Sequence, residues 1–105
     1  MSETLFDRGY QAGLAADDAP DAFTMSTRNQ EWVLGFIQGY SEMQSFRHAS
    51  IPAAGWQAGE LGRRYGIPLE VLIARVQFEI DVTAEMRSEY EPDDEDEDGI
   101  PLYPD

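Results

Sequence analysis

The chain has 105 residues, a length typical of one domain, and its hydrophobic content of 42 % excludes a disordered chain. Seven arginines stand against 21 acidic residues, and the resulting net charge of −14 opposes unassisted binding to nucleic acid. The absence of cysteine excludes a disulfide framework and thiolate chemistry.

Two pairs of glycines, each four residues apart, mark the first part of the chain. Gly9 and Gly13 fall in a first predicted helix at residues 2–16, and Gly35 and Gly39 fall in a second. An interior helical glycine costs about 1 kcal/mol relative to alanine. We therefore expect the four glycines to lie where two helix backbones approach closely, in a two-helix unit at residues 2–43.

The loop predicted between these helices, residues 17–26, contains Phe23, which we expect to pack back onto the pair. A capping box of Thr27 and Gln30 predicts that the second helix begins near Thr27. One face of this helix is apolar, with large side chains at i, i+4, i+8 and i+11. These side chains are Trp32, Phe36, Tyr40 and Met43.

The same segment resembles the ribosome modulation factor family. The resemblance rests on GYQAG at residues 9–13, on Pro20 and Phe23, and on Arg28, Trp32, Gly35 and Phe36. That family consists of short two-helix proteins that bind the ribosome in stationary phase and promote its dimerised, inactive state. The resemblance implies a ribosome-associated protein in which Arg8, Arg28 and Arg47 touch RNA and the acidic tail touches a basic ribosomal protein. The family is strongly basic whereas this chain is acidic, so this function is our alternative hypothesis.

In the second half of the chain, the sequence predicts a linker at residues 44–55 and a helical hairpin at residues 56–90. The first helix of the hairpin is predicted at residues 56–65, and Gly66 ends it. Residues 60–76 also have the spacing of a helix-turn-helix, which gives a weaker alternative. A regulator of that kind would use Arg63, Arg64 and Arg75 on DNA. The second helix of the motif is mostly aliphatic, which favours packing over base recognition.

Residues 68–90 fit two structures. A helical face is formed by Leu72, Val76 and Ile80, whereas residues 76–82 alternate apolar and polar side chains as a strand would. A strand here would pair only with its copy in a homodimer or with another protein's edge. We prefer one long helix whose outer face carries Phe78 and Val82.

Residues 91–105 form a predicted acidic tail that stays extended by self-repulsion. The tail is either solubilising or a recognition element for a basic surface. A weak calcium alternative rests on the partial match of Asp94, Asp96, Asp98 and Asp105 to a calcium loop. No other metal site and no cofactor are predicted.

No catalytic arrangement is recognisable, since the lone histidine, His48, lies in the predicted linker without a partner. The start of the chain lacks the basic and apolar regions of a signal peptide, and no apolar run approaches the ~20 residues of a membrane span. We expect a cytoplasmic protein.

The sequence therefore predicts an all-α fold of about four short helices in a small bundle, with a helical domain at residues 1–90 and the tail at 91–105. We expect a non-enzymatic acidic protein that binds and modulates a basic, nucleic-acid-handling protein machine. In size and charge it resembles the phage-type inhibitors that mimic nucleic acid. The candidate contacts are Trp32, Phe36, Tyr40, Phe78, Val82, Asp93, Asp94, Glu95, Asp96, Glu97 and Asp98.

Overall fold

The computed structural model describes residues 3–90, which form six helices and no strand. The all-α prediction is confirmed, with six helices in this range where about four were expected. The helices are α1 (Leu5–Ala15), α2 (Ala22–Met25), α3 (Gln30–Arg47), α4 (Ile51–Arg64), α5 (Leu69–Arg75) and α6 (Thr83–Tyr90).

A capping box starts α1. The Thr4 hydroxyl accepts a hydrogen bond from the Asp7 backbone N–H at 3.0 Å, and the Asp7 carboxylate accepts one from the Thr4 N–H at 3.3 Å. Two N–H groups that the first turn leaves without helical partners are thereby satisfied. The helix ends at Ala15, after which the chain turns back.

The four paired glycines lie at the crossing of α1 and α3, as predicted. A Cβ added to Gly9 would lie 2.9 Å from the backbone nitrogen of Phe36, and one added to Gly35 would lie 2.9 Å from that of Tyr10. Gly13 and Gly39 make equivalent approaches one turn further along. The two helices run in the same direction and touch backbone to backbone, which only residues without a side chain permit.

The connection between α1 and α3 differs from its prediction. Phe23 does not pack back, since 82 % of it is exposed, and Met25 is the buried residue of α2 instead. The Asp21 carboxylate caps α2 by accepting from the Thr24 N–H at 2.8 Å, which sets the helical register that turns Phe23 outward. The start of α3 near Thr27 was also wrong, because Asn29 is its N-cap.

The predicted linker at residues 44–55 is wrong as well. Helix α3 continues to Arg47, only residues 48–50 form the turn, and α4 begins at Ile51. Ala49 makes the turn with a positive φ of 51°. Pro52 is tolerated because the N–H that it lacks would have no helical acceptor in the first turn.

A third pair of close-packed glycines lies in α4. A Cβ on Gly55 would meet the side chains of Val82 and Glu85, and one on Gly59 would meet the backbone of Met86. Since the residue numbers increase together, α4 and α6 run in the same direction. This second crossing was not predicted.

Neither structure predicted for residues 68–90 forms in full. The preferred single helix is wrong, because residues 76–82 are non-helical and separate α5 from α6. Helix α6 lies parallel to α4, so the chain must first return to the start of α4. Residues 76–82 make that return along α3, with Val76 and Val82 buried at its two ends.

The core is formed mainly by α3, by α4 and by buried residues of the segment that follows α4. Its fully buried large side chains include Leu34, Ile37, Leu61, Leu72 and Met86. The Ser41 hydroxyl is also buried and has no hydrogen-bond partner within residues 3–90. None of the helices described is long and apolar enough to cross a membrane.

Candidate partner-binding surface

The returning segment, residues 76–82, is held at one end by a side chain of α3. The Gln77 backbone N–H donates to Gln38 Oε1 at 3.0 Å, and Gln38 Nε2 donates back to the Gln77 carbonyl oxygen. One amide side chain thus satisfies both backbone groups of Gln77, as a neighbouring strand would. The same Nε2 also donates to Glu42 at 2.8 Å, which fixes the Gln38 side chain in place.

The other end of the segment is held by the start of α6. The Asp81 carboxylate accepts from the Thr83 N–H at 2.9 Å. Hydrogen bonding with the Thr83 side chain, and then with its backbone, lowers the pKa of Asp81. Val82, the next residue, is buried against Gly55 of α4. The chain bends at Glu79 and Ile80 between these two anchors.

Two open grooves lie on either side of this bend and share Phe78 and Glu79 as a common wall. The first, of about 550 Å³, lies between the end of α3, the 48–50 turn and the start of α4. The second, of about 370 Å³, lies between the bend, α5 and α6. We call the two grooves and the ridge between them the bend surface. Besides the ridge, its residues include Glu42, Phe46, Ile51, Ala54, Ile80 and Asp81.

Large apolar side chains are exposed on the bend surface. Phe46 is 83 % exposed and Ile80 is 49 % exposed, and Ile51 also reaches solvent. They come from three segments that the fold brings together. Exposed apolar groups that adjoin a groove are typical of sites that bind another protein or a ligand.

The charge of the bend surface is negative. Glu42, Glu79 and Asp81 border the grooves, and no arginine lines either of them among the residues that the structure describes. Glu42 is held on its other side by the Tyr10 hydroxyl, which donates to Glu42 Oε1 at 2.5 Å. This hydrogen bond, together with burial and the repulsion of the carboxylate, raises the pKa of Tyr10 to about 12. A cationic group would find carboxylates beside apolar walls here.

Several residues that were predicted to contact a partner lie in the core. Phe36 is only 3 % exposed, and Tyr40 and Val82 are also buried, so these three predicted contacts lie in the core and not on the surface of the domain. Phe36 and Tyr40 were taken from an apolar helical face, and that face packs inside the domain. Trp32 is half-buried and stacks on Phe36 at 5.6 Å between ring centroids. Phe78 is the predicted contact that lies on the bend surface. The predicted tail contacts and the calcium alternative lie outside the described residues.

The arginines assigned to nucleic acid in the alternatives lie on several elements. Arg75 pairs with both carboxylate oxygens of Glu31, at 2.8 and 2.5 Å, and this pairing lowers the pKa of Glu31. Arg64 pairs with Glu60 at 2.7 Å. Arg28 lies over the Trp32 ring at 4.2 Å. Arg8, Arg47 and Arg63 are exposed.

Sequence reasoning missed Glu42, Phe46 and Ile51 as site residues because it placed the last two in a linker. A usable signal was present, since Gln38, Glu42 and Phe46 are spaced by four and continue the stripe of one helix. The position of Ile80 carried no such signal, because its exposure depends on where the bend lies.

The chain was compared with known protein families and with solved structures. No solved structure matches this chain. No group of three or more residues able to hold a metal ion is found in the part of the chain described. A family described as "Protein of unknown function (DUF2623)" matches residues 1–90, which run to the end of α6. The chain therefore belongs to the DUF2623 family.

Proposed function

We propose that this protein is a non-enzymatic interaction protein that binds a basic surface of a partner protein in the cytoplasm. The observation that carries the proposal is the bend surface. It combines exposed apolar side chains, open grooves and bordering carboxylates on one side of the domain. A surface of this composition favours a partner that offers apolar and cationic groups together.

The charge of the whole chain supports the same partner chemistry. Residues 3–90 carry thirteen acidic residues against seven arginines, and residues 91–105 add eight more acids. Such a field accelerates encounter with a cationic protein and slows association with anionic molecules. In this proposal the run Asp93, Asp94, Glu95, Asp96, Glu97 and Asp98 steers the approach, and the bend surface makes the lasting contact.

The consequence for the partner follows from charge. A basic protein surface of this kind is commonly one that holds nucleic acid. An acidic protein bound there competes with the nucleic acid for the same cations, so we propose that this chain modulates or inhibits a nucleic-acid-handling machine.

The test is affinity capture from a lysate of the source organism, at low and at moderate salt, with identification by mass spectrometry. The baits are the full chain, the 1–90 truncation and the Phe46→Ser variant. Phe23→Ser is the matched control, because Phe23 is equally exposed but lies near the far end of α4, where Pro20 contacts Tyr65.

We expect one basic protein that the full chain and Phe23→Ser retain and that Phe46→Ser loses. The 1–90 truncation should retain it at low salt and lose it at moderate salt. Capture that is unaffected by Phe46→Ser, or capture of acidic proteins only, would contradict the proposal.

A second candidate function is the ribosome-associated one. The observation that favours it is that Arg8, Arg28 and Arg47 are exposed on α1, the α2–α3 connection and the end of α3. Co-sedimentation with purified ribosomes tests it, using the full chain and a triple variant with glutamate at these positions. Stoichiometric binding that the triple variant loses would support this function, and sedimentation of neither form would exclude it.

A further inference from the structure

We propose that the bend surface binds one short segment of the partner that carries two apolar side chains with a lysine or arginine between them. This inference rests on the proposed function and specifies its partner. It follows from the arrangement of the two grooves about their common wall.

The two grooves provide two separate apolar seats. The first is walled by Phe46 and Ile51, and the second by the exposed Ile80 and the partly buried Ile73, since Val76 and Val82 at its base are buried. Phe78 contributes to both. A partner segment that crosses the ridge can place one apolar side chain on each side of it.

The ridge between the seats carries the negative charge. Glu79 lines both grooves and makes no ion pair or hydrogen bond with any other residue in the range 3–90. Glu42 borders the first groove, where Tyr10 and Gln38 hold its carboxylate in place. A cation that lies between the two apolar anchors meets Glu79 first and has Glu42 on one side and Asp81 on the other.

The ridge is held in position by the domain itself. Gln38 fixes Gln77, the Asp81 carboxylate accepts from the Thr83 N–H at the start of α6, and the buried side chains of Val76 and Val82 hold the two ends of the segment. A site held in this way loses little conformational freedom on binding, which favours affinity for a short segment.

Charge excludes the two other occupants that the chain itself offers. In a symmetric contact of two copies, the same patch lies on both sides of the interface, so the carboxylates of Glu79 and Asp81 would place negative charge on both sides. The acidic residues at 91–98 would meet the same carboxylates. Like charges brought together at an interface oppose association.

The experiment is peptide display. A library of random twelve-residue peptides is selected on the full-length protein and depleted on the Phe46→Ser variant. Enriched peptides are synthesised, and their affinities are measured by fluorescence anisotropy. We expect the enriched sequences to share two apolar positions separated by a lysine or arginine.

Three variants then assign the contacts. Phe46→Ser and Ile80→Ser should each weaken binding about tenfold, because each removes one apolar wall. Glu79→Gln should weaken it about threefold and flatten its dependence on salt. Glu70→Gln is the matched control on exposed α5 surface and should change affinity less than twofold. All four positions are at least partly solvent-exposed, and circular dichroism confirms that each variant keeps its helicity.

The outcomes separate this inference from the proposed function. Enriched peptides without a cation, no enriched peptide at all, or affinities indifferent to Glu79→Gln and Ile80→Ser would overturn the inference even if a basic partner is captured from lysate. Peptides of the expected kind without any captured partner would contradict the proposed function and leave the preference of the bend surface established.

Discussion

The replacement of Gly35 by alanine tests the α1–α3 crossing. A Cβ at this position would lie against the carbonyl of Phe6 and 2.9 Å from the backbone nitrogen of Tyr10. Both are backbone groups of α1, so no side-chain rotation relieves the contact. Because the Phe6 carbonyl oxygen would be the nearest atom to this Cβ, α1 must move away by at least roughly 1 Å to restore an ordinary separation of about 3.5–4.0 Å.

Two opposing effects set the magnitude. Alanine stabilises a helix by about 1 kcal/mol relative to glycine. Overpacking a rigid site costs about 1–3 kcal/mol, and a gap of roughly 1 Å also weakens the dispersion contacts along the rest of the crossing. We expect the Gly35→Ala variant to be less stable by about 2 kcal/mol, and Gly35→Ala with Gly39→Ala by about 4 kcal/mol. The second value is a large part of the 5–15 kcal/mol typical of a domain.

Urea unfolding followed by circular dichroism and by the fluorescence of Trp32 and Trp56 measures this change. The control is Gln11→Ala, which makes an alanine on the exposed face of α1 and should shift the free energy of unfolding by less than about 0.5 kcal/mol. If Gly35→Ala were instead stabilised by about 1 kcal/mol, helix propensity alone would govern the site, and the close crossing would be refuted.

Three further predictions concern Tyr10, Gln38 and Gly66. The pKa of Tyr10 is raised to about 12 in the folded protein, so the protonated Tyr10 hydroxyl stabilises the fold. This stabilisation is fully present below about pH 10 and is lost as the pH rises toward 12. Replacing Glu42 by glutamine should lower the pKa of Tyr10 toward 10, seen in tyrosinate absorbance, and an unchanged titration would contradict the assigned cause. Gln38→Ala should lower the free energy of unfolding in urea by about 1–2 kcal/mol, because it removes the side chain that bonds both backbone groups of Gln77. Gln77→Ala keeps those backbone groups and should be nearly neutral. Equal losses in the two variants would contradict a role for these hydrogen bonds. Gly66→Ala should cost about 1 kcal/mol although nothing lies within 4 Å, because φ is +73° there, and a neutral result in the same assay would disagree with that backbone conformation.

The α1–α3 crossing was predictable because its signal is local and costly. Four glycines at helical spacing lower the stability of their helices. The close approach of another helix backbone, which only glycine permits, compensates for that cost. The equivalent signal of Gly55 and Gly59 was missed, since the predicted linker separated Gly55 from its helix. Pro52 lies in that predicted linker, and the structure places it in the first turn of α4, where proline is tolerated.

The path of residues 76–82 was not predictable from its own pattern. Alternating side chains and a helical stripe overlap in the same residues, and neither local preference decides between them. The position of α6 decides instead, because a helix parallel to α4 requires the chain to return along α3. The bend surface follows from this return, since Phe46 is distant in sequence from Phe78 and Ile80 and is brought near them only in the folded domain.

Site-specific photocrosslinking tests the central claim, that the bend surface is where a basic partner binds. The photoreactive residue p-benzoylphenylalanine replaces Phe46 in one protein and Phe23 in the other, since these two side chains are equally exposed, at 83 % and 82 %, and lie near opposite ends of α4. After irradiation in a lysate of the source organism, mass spectrometry identifies each crosslinked segment. We predict one crosslinked protein from position 46, attached at a segment that carries lysine or arginine beside apolar residues, and no such product from position 23. Equal crosslinking from both positions, or crosslinking only from position 23, would contradict the account.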